Sequence, residues 1–314
     1  MINSNNSMLI TDNESNVLND KPGLISKKLK KKLEQQNMTN VINSTWQGLN
    51  LKQRVEDRNI VKDYFTWLTK WVLCPASTVQ EFQLLFYQLL PTKTYKVSRS
   101  HEVINDMTCR MCRKGQESVK HLISNCEDFA NSLFVTRHDN ALKCFVWPML
   151  CKYKLIAKSP SWYANDQVHP YYGNDKIQFW WNVPEYTGRD EESQHPPRPD
   201  GKLIINLEND KRIYLLEMTV PWTENRDEKY VYKSNKYRNI LQALQFEYVE
   251  YKVDQITLVM DVFGGYSREL ASNIGKVFDS KDDIRTIIKN MQKSIISSAA
   301  NLSRTFKIRS KYTA

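Results

Sequence analysis

No stretch of this sequence approaches the roughly 18 apolar residues that a membrane span requires, and no internal repeat is visible. The first 25 residues lack the apolar core of a secretory signal and are rich instead in Asn, Ser and Asp. A membrane-spanning helix and a repeat array are thereby excluded, and a soluble, intracellular protein is expected. Large ring side chains are not scarce. Eight Trp, 16 Tyr and 11 Phe in 314 residues suffice to fill real cores, so most of the chain should fold, with room for two compact domains and tails.

Acidic charge is the minority sign. Against 35 Asp and Glu stand 45 Lys and Arg, a formal net charge of +10. Each phosphate neutralised by Lys or Arg releases condensed counterions, so the expected partner is nucleic acid, DNA and also RNA, with no membrane partner. Lys27, Lys28, Lys30, Lys31 and Lys32 form a dense run that suits a nuclear address, a phosphate-binding arm or the solvated start of a helix.

Six cysteines would suit a disulfide framework in a small secreted domain, but in a long intracellular chain metal ligation is the better use. Two residues separate Cys109 from Cys112, so one tight turn can present both thiolates; His121 and Cys126 follow and complete a set that tetrahedral zinc accepts. With all four positions filled by protein, the zinc should be structural. Cys74, Cys144 and Cys151 lie in apolar settings and are expected in the core.

Along the chain the expected organisation is a disordered basic tail over 1–45, a helical region over 46–157 with the zinc cluster at 109–126, a loop-rich linker over 158–198 and an α/β domain over 199–314. Ile60, Tyr64, Trp67, Leu68 and Trp71, then Phe82, Leu85, Phe86 and Leu89, recur at helical spacing, with a break near Pro75 and Ser77 as a cap. A further helix is expected from Ala130 to Leu150. Leu203–Leu207 and Ile213–Val220 read as a hairpin, 227–246 as helical, and 255–263 as a buried strand. A final amphipathic helix begins near Ser280. The fold class expected is α+β overall, a helical and zinc-bearing part followed by an α/β core.

Arg198, Pro199 and Asp200 lead into the first hairpin strand and Glu217 sits near the end of the second. Two carboxylates at one edge of the sheet can share magnesium, which polarises a phosphodiester and acidifies an attacking water. In the nuclease pattern Pro-Asp, then Glu-x-Lys, the lysine falls two residues after the glutamate, where this chain has Thr219. Lys233 and Lys236, three apart on the next helix, can substitute from one face, and Lys233 is the preferred catalytic cation. The competing reading is a pair of solvated charges.

Cys109-Arg-Met-Cys112, Glu117-Ser-Val-Lys-His121 and Cys126, followed by Arg137-His138-Asp139-Asn140, resemble the zinc knuckle and adjoining motif downstream of reverse transcriptase in non-LTR retrotransposons. In early-branching elements that region continues into a restriction-like endonuclease, to which Arg198-Pro199-Asp200, Glu217 and Lys233-Ser-Asn-Lys236-Tyr237 are similar. The resemblance covers roughly Trp46 to Gly265. It implies a restriction-endonuclease-like core and a magnesium-dependent endonuclease that nicks target DNA, leaving a 3′ hydroxyl for reverse transcription. Asp200 and Glu217 would hold the metal and Lys233 would be catalytic, while Arg137, His138 and Lys236 would handle nucleic acid, in a nuclear setting. No Tyr-x-Asp-Asp polymerase sequence is present, so this chain alone is no reverse transcriptase. The alternative is a non-catalytic, zinc-dependent nucleic-acid-binding remnant of such an element.

Overall fold

The structure is a computed structural model and describes residues 22–43, 49–61, 75–184 and 197–312. It divides into two compact units, Met1–Arg58 and Asn59–Ala314. In the first, helix α1 (Pro22–Ile42) is followed by α2 (Leu49–Glu56), with which it is in contact. The lysine run lies within α1, where Lys27, Lys28, Lys30 and Lys31 are exposed. A disordered tail as far as residue 45 is therefore corrected, since Lys and Leu are good helix formers and the run sustains a helix. Residues 1–21 lie outside the described residues, as do Tyr64, Trp67, Leu68, Trp71 and Cys74.

In the second unit a five-stranded sheet has the order β1-β2-β3-β4-β5, with β1 Tyr171–Gly173, β2 Ile177–Trp181, β3 Gly201–Leu207, β4 Asp210–Thr219 and β5 Lys252–Val259. The first four form an antiparallel meander, and β5 runs parallel to β4. A parallel pair needs a crossover, here made by α8 (Arg226–Asn235) and α9 (Arg238–Glu247), while α10 (Arg268–Ile274) follows β5. The described residues thus make an α+β protein built on a mixed sheet.

From Ile213 to Met218 β4 is buried on both faces, as a central strand must be. Tyr214, Leu216 and Met218 face a core that also takes Phe179 from β2, Leu203 from β3, and Ile256 and Leu258 from β5. Helix α7 (Val135–Lys152) and the 29-residue α11 (Lys281–Arg309) supply Leu142, Phe145, Met291 and Ile295 to that core. Ile213 and Leu215 face the other way, against Tyr237, Ile240 and Leu244. Two helical layers thus enclose the middle of the sheet.

Several sequence expectations change here. Of the linker expected over 158–198, the described residues 158–184 hold β1 and β2, which carry the sheet outward from β3; Ile177 and Phe179 alternate inward as a half-covered strand requires, a signal hidden among turn-forming neighbours. Ile60 is not helical but bridges Ser267. Helix α3 (Ala76–Phe86) starts after Pro75, and Ser77 lies inside it. The short α4 (Lys93–Arg99) follows, capped by Thr92, whose hydroxyl accepts from the Tyr95 N–H at 3.1 Å. Phe82, Leu85 and Phe86 are buried, as is Cys144, whereas Cys151 is half-buried. Ser280 caps α11, its hydroxyl accepting from the Asp283 N–H at 3.3 Å. No described helix is long and apolar enough to cross a membrane.

Candidate functional site

The four predicted zinc ligands converge. One donor atom from each of Cys109, Cys112, His121 and Cys126 lies within 4.8 Å of every other. Zinc–sulfur bonds of about 2.3 Å in a tetrahedron put sulfurs about 3.8 Å apart, so the spread suits one ion. The turn carrying the first pair is closed by Cys109 N–H to Gly115 O at 2.9 Å and Arg113 N–H to Cys109 O at 2.8 Å. Gly115 has φ +55, and a Cβ there would lie 3.1 Å from His121 Nδ1, so glycine clears room for the histidine. His121 comes from α5 (Val119–Ser124), whose cap Ser118 accepts from the His121 N–H at 3.1 Å. Cys126 stands at the residue before the short α6 (Glu127–Phe129).

Cys109 and Cys126 are buried and compete for one negative charge. The hydrogen bond from Cys126 pushes the Cys109 thiol down to about 5 against the cost of burial, helped by the Cys112 and Met111 N–H groups, while the same contact and burial push Cys126 up. A divalent cation relieves that competition, because it lets both be thiolates. Three thiols and an imidazole are the donor chemistry of zinc, and this cluster could hold such an ion.

Glu117 pins the loop. Its buried carboxylate accepts from the Arg110 guanidinium at 2.7 and 2.9 Å, from the Arg110 N–H at 2.9 Å and from the Lys93 N–H at 2.9 Å. Burial pushes its pKa up, but the Arg110 and Lys93 donors outweigh that and hold it below the usual carboxylate value. Arg110 also lies 5.4 Å from the Phe306 ring of α11.

Arg137 does not stand on the surface. It is 4% exposed, donates to Ile123 O at 2.8 Å and lies over the Phe134 ring at 5.0 Å. It is a strut between α7 and the last turn of α5, which corrects its reading as a nucleic-acid contact: a guanidinium sealed in the interior reaches no phosphate. Burial pulls its pKa down to about 10.

The carboxylate pair lies at one end of the sheet. Gly201 pairs with Leu216, so Asp200 and Glu217 each stand one residue beyond the same rung. Gly201 is required here, because a Cβ would come 2.9 Å from the Phe179 ring. Asp200 Oδ2 accepts from the Met218 N–H at 2.6 Å and faces His138 Nε2 at 3.2 Å. Neither hydrogen bond involves Asp200 Oδ1. His138 Nδ1 in turn meets Asp139 at 2.9 Å. Burial lowers the His138 pKa, but Asp139 and Asp200 more than offset it and push it up to about 10, so the ring is an imidazolium clamped between two carboxylates.

Glu217 is 1% exposed, an acidic residue in the most buried strand. Lys233 in α8 and Lys236 at its C-cap, where the helix expected over 227–246 breaks into α8 and α9, both bring their ammonium to Oε1, Lys236 at 3.1 Å. Tyr237 donates to Oε2 at 2.8 Å and contacts Arg198 O at 2.7 Å, which ties the Arg-Pro-Asp segment to the helical layer. Burial and the Glu217 charge push the Tyr237 hydroxyl far up, so it stays protonated and donating. The sequence placed Asp200, Glu217, Lys233 and Lys236 near one another; the roles of Tyr237 and Asp139 were not read from it, since both depend on which elements pack together. Lys236 faces the carboxylate and is half-buried by side chain, at 33% exposure. Compared with known protein families and with curated proteins, the chain matches none.

Proposed function

We propose that residues 199–314 belong to a restriction-endonuclease-like core and that the chain is a retrotransposon-derived, metal-dependent DNA endonuclease. The observation that carries this reading is the meeting of Lys233 with Glu217 at the sheet end where Asp200 also stands. Lys233 comes from a helix where the nuclease pattern has its lysine on the strand, and it meets the Glu217 carboxylate. Asp200 suits a metal because Oδ1 has no protein donor among the described residues and the side chain is 20% exposed. Asp200 and Glu217 would hold magnesium, which when bound would polarise the scissile phosphodiester and acidify a water. Lys233 would neutralise charge developing on the phosphate, and His138, locked by Asp139, would hold the Asp200 carboxylate in place.

Plasmid nicking with purified zinc-loaded protein tests this. Divalent-metal-dependent nicking that disappears in Asp200→Ala and in Lys233→Met is expected. No nicking under magnesium or manganese would sink it. One observation favours the non-catalytic, zinc-dependent nucleic-acid-binding reading: Glu217 already has two ammonium groups and a phenol as partners, which is what a purely structural buried carboxylate needs. That reading expects DNA binding unaffected by Asp200→Ala and no cleavage.

A further inference from the structure

Helices α8 and α9 pack over β4 and β5. The same face of the sheet continues across β3, where Ile204 still packs against the Tyr237, Ile240 and Leu244 cluster, to β2 and β1. Tyr171, Trp180, Lys202 and Leu215 form one cross-strand row. Leu215 faces the α9 side, so the other three share that face, and Lys176 lies in the turn just before β2. Tyr171 is 48% exposed, Lys176 is exposed, and Trp180 and Lys202 are half-buried.

The row is built and not accidental in its geometry. The Tyr171 and Trp180 rings lie 5.3 Å apart at 52°, and the Lys202 ammonium lies 5.3 Å from the Trp180 ring centre. A Cβ on Gly173 would fall 2.1 Å from the Tyr171 hydroxyl, so the missing side chain is what lets this ring lie down along its own strand. Asp200 and Glu217 stand two residues further along the strands from Lys202 and Leu215, about 7 Å at the rise of a strand.

We infer that this row is a stacking platform for an unpaired nucleic-acid strand, with Tyr171 and Trp180 against bases and Lys202 and Lys176 toward phosphates. Rings beside ammonium groups match the two things a single strand offers, open base faces and a charged backbone. A duplex keeps its base faces stacked internally and cannot use the rings. A protein partner would favour an interface core depleted of lysine. The inference goes beyond the nuclease reading and stands without it, because nothing in it requires a metal or a cut.

The test is fluorescence anisotropy of the full chain, without added magnesium, on labelled oligothymidine of about 12 nucleotides and on a duplex of equal length. Trp180→Ala and Tyr171→Ala should each weaken oligothymidine binding about tenfold, with Trp180→Phe close to wild type and duplex binding changed less than about twofold. Should Trp180→Ala unfold, Tyr171→Ala, which removes a ring half open to solvent, decides alone. The inference is overturned if the wild type does not bind oligothymidine, if the ring variants bind it unchanged, or if single-strand and duplex affinity fall together. Because this binding is read without magnesium and without a cut, absence of nicking in the wild type would count against the nuclease alone.

Discussion

At the scale of single residues, the polar groups at the sheet end hold one another in defined charge states. His138 is an imidazolium because Asp139 and Asp200 flank it. Its folded pKa, about 10, lies above the unfolded value of 6.5, so its stabilisation is complete below about pH 6.5 and is lost as pH rises through about 10. With a quarter of the ring open to solvent, that contribution is about 2 kcal/mol. Urea unfolding of wild type between pH 6 and 10 should show a stability loss that His138→Asn lacks; equal slopes in both would refute the pairing. Glu217 behaves as a hub. Glu217→Ala would leave two ammonium groups facing each other and should cost about 2–3 kcal/mol in urea unfolding, less than a fully sealed pair because both lysines reach water.

At the scale of elements, the Cys/His cluster sits on a loop and two short helices that cannot hold themselves. Helix α5 has six residues and α6 three, far below the length at which a helix is stable alone. The loop is held by Glu117 on Arg110 and by its seat on α11, where Arg309 pairs with Asp128; a bound ion would add its four ligands to these. The chain should bind one zinc, and Cys109→Ser should bind substantially less by atomic absorption after dialysis. Chelation should raise amide exchange in residues 107–130 while β3, β4 and β5 stay protected. Uniform loss of protection would show that the ion supports the whole unit. Arg137→Ala should cost about 1–3 kcal/mol by orphaning Ile123 O, with DNA affinity otherwise unchanged. A drop in affinity with no loss of stability would restore Arg137 as a contact.

At the scale of the whole molecule, the +10 charge is the broadest handle on partners. DNA binding that uses several lysines should fall steeply from 50 to 200 mM salt, by about a thousandfold for about six phosphate contacts. Replacing Lys27, Lys28, Lys30, Lys31 and Lys32 by Gln should flatten the log–log salt slope if α1 contributes contacts, and leave it unchanged if it does not. Filter binding across a salt series reads this directly.

The sequence by itself determined the features whose cause is local. Cys109 and Cys112 share one turn, Ser280 caps the helix that follows it, Lys233 and Lys236 lie near enough in the chain to meet one carboxylate, and the hairpin of β3 and β4 follows from alternation around a polar turn. Tertiary structure alone decided what these features meet. Residues 158–184 hold two strands whose pairing with β3 supplies what their short, turn-rich sequence does not, since strand stability comes from neighbours. Arg137 passed from surface to interior because α7 packs beside the knuckle, and Tyr237 reaches Glu217 because the crossover folds back over β4. Periodicity and spacing report contacts a few residues apart; burial and partnership are set by elements distant in the chain, and so belong to the fold.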